Sequence, residues 1–305
     1  MRIAGHIEAI GREGERLAAA ASRAGLDAPI RWCPGWDMRE LLRHLSEIHL
    51  WAASHVARRA VREGVSELAD LAVAWPDLAT FWPDDEHLID HYLATNVNLV
   101  HQLETAPPDL DTWTFLPAPS PRQMWARRQA HETSIHRLDA ESATAKMRDF
   151  DPTFASDGID EVLSAMAPRA NELPLERAVT MAVHPTDVGQ RWLVTMGPDG
   201  IETIRGDGPA DLTLSGSASD LYVAVWNRGD DSAIHLTGDR SVLDTWRARH
   251  RARWPRTRDE DDLRAQATDD APGGWPRRRD AETTERPDDA PTHGRHTPRG
   301  KRQGA

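Results

Sequence analysis

The sequence predicts an α+β chain in three stretches: an N-terminal four-helix bundle over residues 1–170, a small α+β domain over 175–254 and a disordered tail over 256–305. Three observations lead there. Up to about residue 170, apolar residues recur at helical spacing behind well-formed capping signals. After Pro174 the pattern shifts to short runs rich in Val, Ile and Thr, separated by Gly and Asp turns. Beyond Arg256 the chain is rich in Arg, Asp, Pro, Gly and Thr and has almost no large apolar residues. Such a segment cannot bury enough surface to offset the entropy of ordering it.

The first helix is expected over 3–24. The second opens in CPGWDMRELLRHLSEIHLWAASHVARRAV, where Asp37 is the N-cap and Glu40 at N3 completes a capping box. Trp36 precedes the cap and is placed to staple onto Leu41, and Leu41, Leu45, Ile48 and Ala52 form a buried stripe. A third helix is expected over about 85–105, with Leu88, Tyr92, Leu99 and Leu103 among its apolar positions. The fourth starts with Ser120 as N-cap, Pro121 at N1 and Gln123 at N3. A fifth, ASDGIDEVLSAMAPRA, closes the domain. Four long helices imply an up-and-down bundle, whose interior can carry a metal site. In the second stretch ERAVTMAVHPTD, QRWLVTMG, GIETIRGD and ADLTLSG read as strands and SASDLYVAVWNRG as a helix. SAIHLTG adds a strand and DRSVLDTWRARHRARW the last helix.

Composition narrows the function. The chain has 305 residues and a net charge of −12, which argues against a nucleic-acid partner, because such a protein usually presents a basic face. Its one cysteine, Cys33, excludes an intrachain disulfide framework and a thiolate-rich zinc site, so a metal would have to be held by histidine and carboxylate. The N-terminus has no continuous apolar core of a signal peptide, and no run approaches the roughly 20 apolar residues of a spanning helix. The chain therefore reads as a soluble cytoplasmic protein with no membrane partner.

The chemistry concentrates in RRQAHETSIHRLDAE. A metalloprotease helix would carry two histidines four apart, but His131 and His136 are five apart. At about 100° per residue they point about 140° from each other and cannot easily share an ion. Glu132 and His136 are four apart and lie on one face, so they are the pair that can converge. Asp139 follows one turn later, where its carboxylate can hold an imidazole N–H. The bland alternative is a solvated Glu/His pair on a polar helix. A site of this kind needs a third ligand, and the second helix offers His44, His49 and His55. His44 and His49 flank its apolar stripe at about 60–80° on opposite sides, and periodicity does not choose between them.

CPGWDMRELLRHLSEIHLWA, RRQAHETSIHRLDAE and TDVGQRWLVTMGPDGIETIRGDGPADLTLSGSASDLYVAVWNRG…IHLTGD occur in that order. Together they resemble the mycothiol-dependent maleylpyruvate isomerase family of actinobacteria, over about residues 5–254. The resemblance implies a DinB-like four-helix metal-binding bundle followed by a small domain similar to sterol carrier proteins. It implies a metal triad of His44, Glu132 and His136, leaving His131 as a bystander or a group behind the ligands. The family has a Gly-Arg after the first helix of its C-terminal domain, and here the dipeptide is Asn227-Arg228. The arginine is kept and is expected to act catalytically, as a fork that can clamp a carboxylate. The loop conformation is left open by the missing glycine. Cys33 precedes a Pro-Gly turn and is expected to pack, the family's thiol coming from mycothiol.

Two imidazoles and a carboxylate suit zinc by default, and nickel, cobalt or iron as well. The implied reaction is isomerisation or S-transfer. A thiolate adds to a double bond conjugated with a carbonyl, the bond turns, and the thiolate leaves. The expected partners are a small electrophilic, anionic substrate and a low-molecular-weight thiol, acting on a monomer or homodimer. A rival reading is a non-catalytic metal-binding sensor, an anti-sigma-like protein or a ligand-binding protein.

Overall fold

The computed structural model describes residues 1–57, 83–144, 146–169 and 175–250. The tail expected over 256–305 lies outside the described residues. Among the described residues four long helices come first: α1 (Ile3–Ala24), α2 (Met38–Val56), α3 (Leu88–Thr105) and α4 (Pro121–Ser142). The capping signals form as the sequence implies. Asp37 accepts a hydrogen bond from the Glu40 amide at 2.9 Å, and Ser120 accepts one from the Gln123 amide at 3.2 Å. A short 3₁₀ turn, Asp85–His87, leads into α3.

α4 is the centre of the helical half. From Met124 to Glu141 only Arg127 escapes burial. α1 packs on α4 and α3, and α2 packs on α3 and α4. Because every face of α4 is covered, its polar residues are buried too and must find partners there. The expected fifth helix appears as α5 (Pro152–Asp160), which runs on as a π-helical turn, Glu161–Met166, and a 3₁₀ turn, Ala167–Arg169.

The second half is a five-stranded sheet built from β1 (Val179–Pro185), β2 (Trp192–Gly197), β3 (Gly200–Arg205), β4 (Leu212–Gly216) and β5 (His235–Gly238). The strand order is β3-β2-β1-β4-β5. Among the described strands only β1 and β4 pair in parallel, with Met181 opposite Leu212 and Val183 opposite Leu214. Two helices belong to this half, α6 (Ala218–Val225) and α7 (Ser241–Arg249). The buried residues of the sheet, among them Val183, Trp192 and Leu214, share one hydrophobic cluster with Trp125, Phe154 and Ile159 of the helical half. Polar ties follow the same seam. Asp160 accepts from Arg205 at 2.6 and 2.7 Å and from the Trp192 indole at 3.0 Å, and Thr203 donates to the Leu163 carbonyl of the π turn at 2.6 Å. The described residues accordingly fall in one compact unit. No described helix is long and apolar enough to cross a membrane.

Candidate metal centre

α2 and α4 bring His44 together with Glu132 and His136. Nε2 of His44 and Nε2 of His136 each lie 3.4 Å from the same oxygen, Glu132 Oε1. The two rings meet edge-on with centroids 5.2 Å apart. An ion about 2.0–2.1 Å from each donor in tetrahedral geometry would leave about 3.3 Å between donors, so the spacing and the donor chemistry fit a small divalent ion. His44 is the most open of the three, its side chain 24% exposed against 10% for Glu132 and 3% for His136, so the trio is reached from the His44 side.

The electrostatics favour a charged carboxylate. Burial alone would raise the Glu132 pKa, but hydrogen bonds from His136 and His44 and the Arg128 charge outweigh it and hold the carboxyl well below its usual range. Burial lowers the pKa of His44. It pulls on His136 too, but the hydrogen bonds to Asp139, Cys33 and Glu132 prevail and raise that ring well above 6.5.

Asp139 sits where the helix spacing put it. Its Oδ2 is 2.9 Å from Nδ1 of His136, so that nitrogen donates and Nε2 faces Glu132. Asp139 in turn accepts from Arg228, Nε to Oδ1 at 3.1 Å and Nη2 to Oδ2 at 3.0 Å. The fork expected to meet a substrate carboxylate is thus taken up by Asp139, and Nη1 donates to the Trp226 carbonyl at 2.7 Å. Arg228 arrives there because α6 ends in a Schellman turn. The Arg228 amide bonds to the Val223 carbonyl at 3.0 Å and the Asn227 amide to that of Ala224 at 2.9 Å. Asn227 has φ 59°, the left-handed conformation that glycine takes most readily and asparagine tolerates. Asparagine therefore holds here a backbone conformation that glycine would also take.

Cys33 is fully buried, as its place before the Pro-Gly turn implies, and its thiol donates to Asp139 at 3.4 Å. Burial, and then the Asp139 charge, push the thiol up to about 11. Trp36, expected to staple onto α2, also walls the trio, with ring centroids 5.0 Å from His44 and 6.4 Å from His136.

Two residues that sequence reasoning missed complete the surroundings of Glu132. Arg128, one turn earlier on α4, donates from Nη2 to Glu132 Oε2 at 2.7 Å and from Nη1 to Glu161. Both charges lie inside segments whose sequence resembles an ordinary solvated helix face, and only their burial in the fold distinguishes them.

His131 turns away from the trio, as the 140° argument requires. It lies with His6 against Asp157, at 3.0 and 3.2 Å from Oδ1. This second cluster is a hydrogen-bonded hub: the same oxygen takes Arg127 Nε at 2.8 Å, and a guanidinium there disfavours an ion. His49, left open beside His44 by periodicity, instead pairs with Thr133 Oγ1 at 3.0 Å. His55 packs among tryptophans, its ring centroid 5.1 Å from that of Trp125.

The mycothiol maleylpyruvate isomerase N-terminal domain model matches residues 7–141, and the MDMPI C-terminal domain model matches residues 153–245. Among solved structures, the crystal structure of the mycothiol-dependent maleylpyruvate isomerase is similar at 13% identity and a TM-score of 0.53, over 78% of this chain and 93% of that one. A histidine-to-alanine mutant of the same enzyme is similar at 10% identity and a TM-score of 0.54, with the same coverage. At these identities the likeness shows the fold alone. A comparison with curated proteins gives no match.

Proposed function

The chain belongs to the mycothiol maleylpyruvate isomerase family, matched by both of its domain models, and from that premise we propose that it is a metal- and thiol-dependent enzyme using mycothiol. Its reaction is isomerisation or S-conjugation of a small electrophilic, anionic substrate. We assign the metal to His44, Glu132 and His136, with zinc as the default ion and nickel, cobalt or iron compatible with the donors. The observation that carries this assignment is the convergence of two imidazole Nε2 atoms, each 3.4 Å from one oxygen of Glu132. A divalent ion held there would supply Lewis acidity and favour the thiolate form of a bound thiol.

The protein's own groups do the rest. Asp139 holds the Nδ1–H of His136 and so leaves Nε2, on the Glu132 side of the ring, as the nitrogen that would ligate a metal. Arg228 acts through Asp139, fixing the carboxylate that orients the ligand. Trp36 closes one side of the trio against water, and His44 marks the open side from which thiol and substrate approach. Residues 1–170 would supply the ligands and residues 175–254 the arginine that braces them. The enzyme would act in the cytoplasm as a monomer or homodimer.

Metal analysis of purified protein, followed by titration of a cobalt-loaded form with thiol, tests the reading. His136→Ala is expected to remove most of the metal and His131→Ala to leave it, and the cobalt spectrum should change on adding thiol. Equal metal loss from both variants would overturn the ligand assignment. Metal retained with no spectral response to thiol would point instead to a sensor or a structural ion.

A further inference from the structure

Glu132 divides its two oxygens between different tasks. Oε1 faces His44 and His136, while Oε2 accepts from Arg128 at 2.7 Å. Arg128 is 1% exposed and is gripped from the far side. Nη1 donates to Glu161 and lies 3.1 Å from the Met166 sulfur, and the guanidinium sits 5.2 Å over the Trp226 ring. Glu161 and Met166 are the first and last residues of the π-helical turn. In an α-helix, residues five apart diverge by about 140°. The i→i+5 bonding of a π turn brings them to one side. The irregular turn is what lets both reach the same guanidinium.

We infer that Arg128 is a positioning residue that limits Glu132 to one ligating oxygen, and that the π turn serves to seat it. Carboxylates ligate through one oxygen or two. A Glu132 with both oxygens free can chelate the ion and occupy the position a thiol needs. With Oε2 tied to Arg128, only Oε1 is offered and a coordination position stays open. Lysine cannot reproduce this, because it lacks the planar fork that bridges two carboxylates at once.

This inference rests on the metal assignment proposed above, and the test separates the two. Full-length parent, Arg128→Lys and the double variant Arg128→Gln/Glu161→Gln are loaded with cobalt(II). The double variant keeps the net charge of the buried group unchanged and serves if Arg128→Lys does not fold. Ligand-field absorption reports coordination number, and N-acetylcysteine is the thiol probe. The variants are expected to keep the parent's metal stoichiometry, to show weaker absorption typical of a higher coordination number, and to bind the thiol about tenfold less tightly. A variant with the parent's spectrum and thiol affinity would overturn the positioning role while leaving the ligand assignment standing. A parent whose cobalt does not depend on His136 would overturn the assignment, and this inference with it.

Discussion

A buried histidine that stays neutral ties stability to pH. His55 is 2% exposed, packed against Trp51, Trp113 and Trp125, and among the described residues its Nε2 has no hydrogen-bond partner. Burial lowers its pKa from 6.5 to about 4. The unfolded chain takes up this proton near pH 6.5 and the folded chain only near pH 4, so the stabilising contribution is complete above 6.5 and is lost as pH falls toward 4. The loss amounts to roughly 3 kcal/mol at most. His55→Phe is expected to flatten the decline of melting temperature between those pH values; a variant with the parent's slope would show that other groups set it. Cys33 makes a second residue-scale case. Fully buried, with its thiol raised to about 11, it should resist iodoacetamide at pH 8 in the native protein and react on unfolding. Fast native-state labelling would mean that the Pro34-Gly35 turn opens. Residue chemistry was legible in the sequence where spacing alone fixes direction: the Glu132/His136 pair, the turn of His131 away from that pair and the Asp139 brace. His44 and His49 are equivalent by periodicity; the family resemblance points to His44, and in the fold His49 is drawn to Thr133.

At the scale of elements, termini carry most of the information. The caps of α2 and α4 are written in the sequence as Asp37 and Ser120, and they form. The π turn after α5 is not written there, because its partners come from elsewhere in the chain: Arg128 on Glu161 and Met166, and the Thr203 hydroxyl on the Leu163 carbonyl. The buried charges of α4 are equally hidden, since a helix covered on every side shows no apolar stripe to read. Two substitutions probe these joints. Asn227 holds the left-handed position of the Schellman turn and donates from Nδ2 to the His250 carbonyl at 2.5 Å, so Asn227→Gly, which loses only that bond, should cost little, whereas Asn227→Val, which also strains at positive φ, should lower the melting temperature further and displace Arg228. Equal melting of the two variants would show that the turn does not need this conformation. Gly158 lies where α5 meets α6, and a Cβ there would stand 2.3 Å from Tyr222 Cε2 and 2.9 Å from His131 Cε1. Gly158→Ala is expected to cost more than about 1–3 kcal/mol, the usual range for overpacking, because two buried rings would have to move. A near-neutral melting shift would mean that α5 slides freely on α6.

At the scale of the whole molecule, the change of pattern after Pro174 marks a passage from helices to strands, and the buried residues on either side of it share one hydrophobic cluster. Composition along the chain shows where helix gives way to strand, but not that Arg228 reaches back to Asp139 or Arg205 to Asp160. A chain ending at residue 169 tests how far the halves depend on each other. It would leave Asp139, whose side chain is fully buried, without its guanidinium partner, and breaking such a pair costs about 3–5 kcal/mol. It would also strip Tyr222 from α5 and His131 and uncover Phe154 and Ile159. Against a typical total stability of about 5–15 kcal/mol, these losses are large. The fragment is therefore expected to melt well below the full chain, and to bind cobalt more weakly because the brace on His136 loosens. Arg228→Ala in the full chain should reproduce the metal effect with a smaller fall in melting temperature, since it removes the pair and leaves the apolar seam. A fragment with the full chain's melting temperature and cobalt affinity would show the sheet to be an appendage, and the brace on Asp139 would then have to come from α4 and its neighbours in the bundle alone.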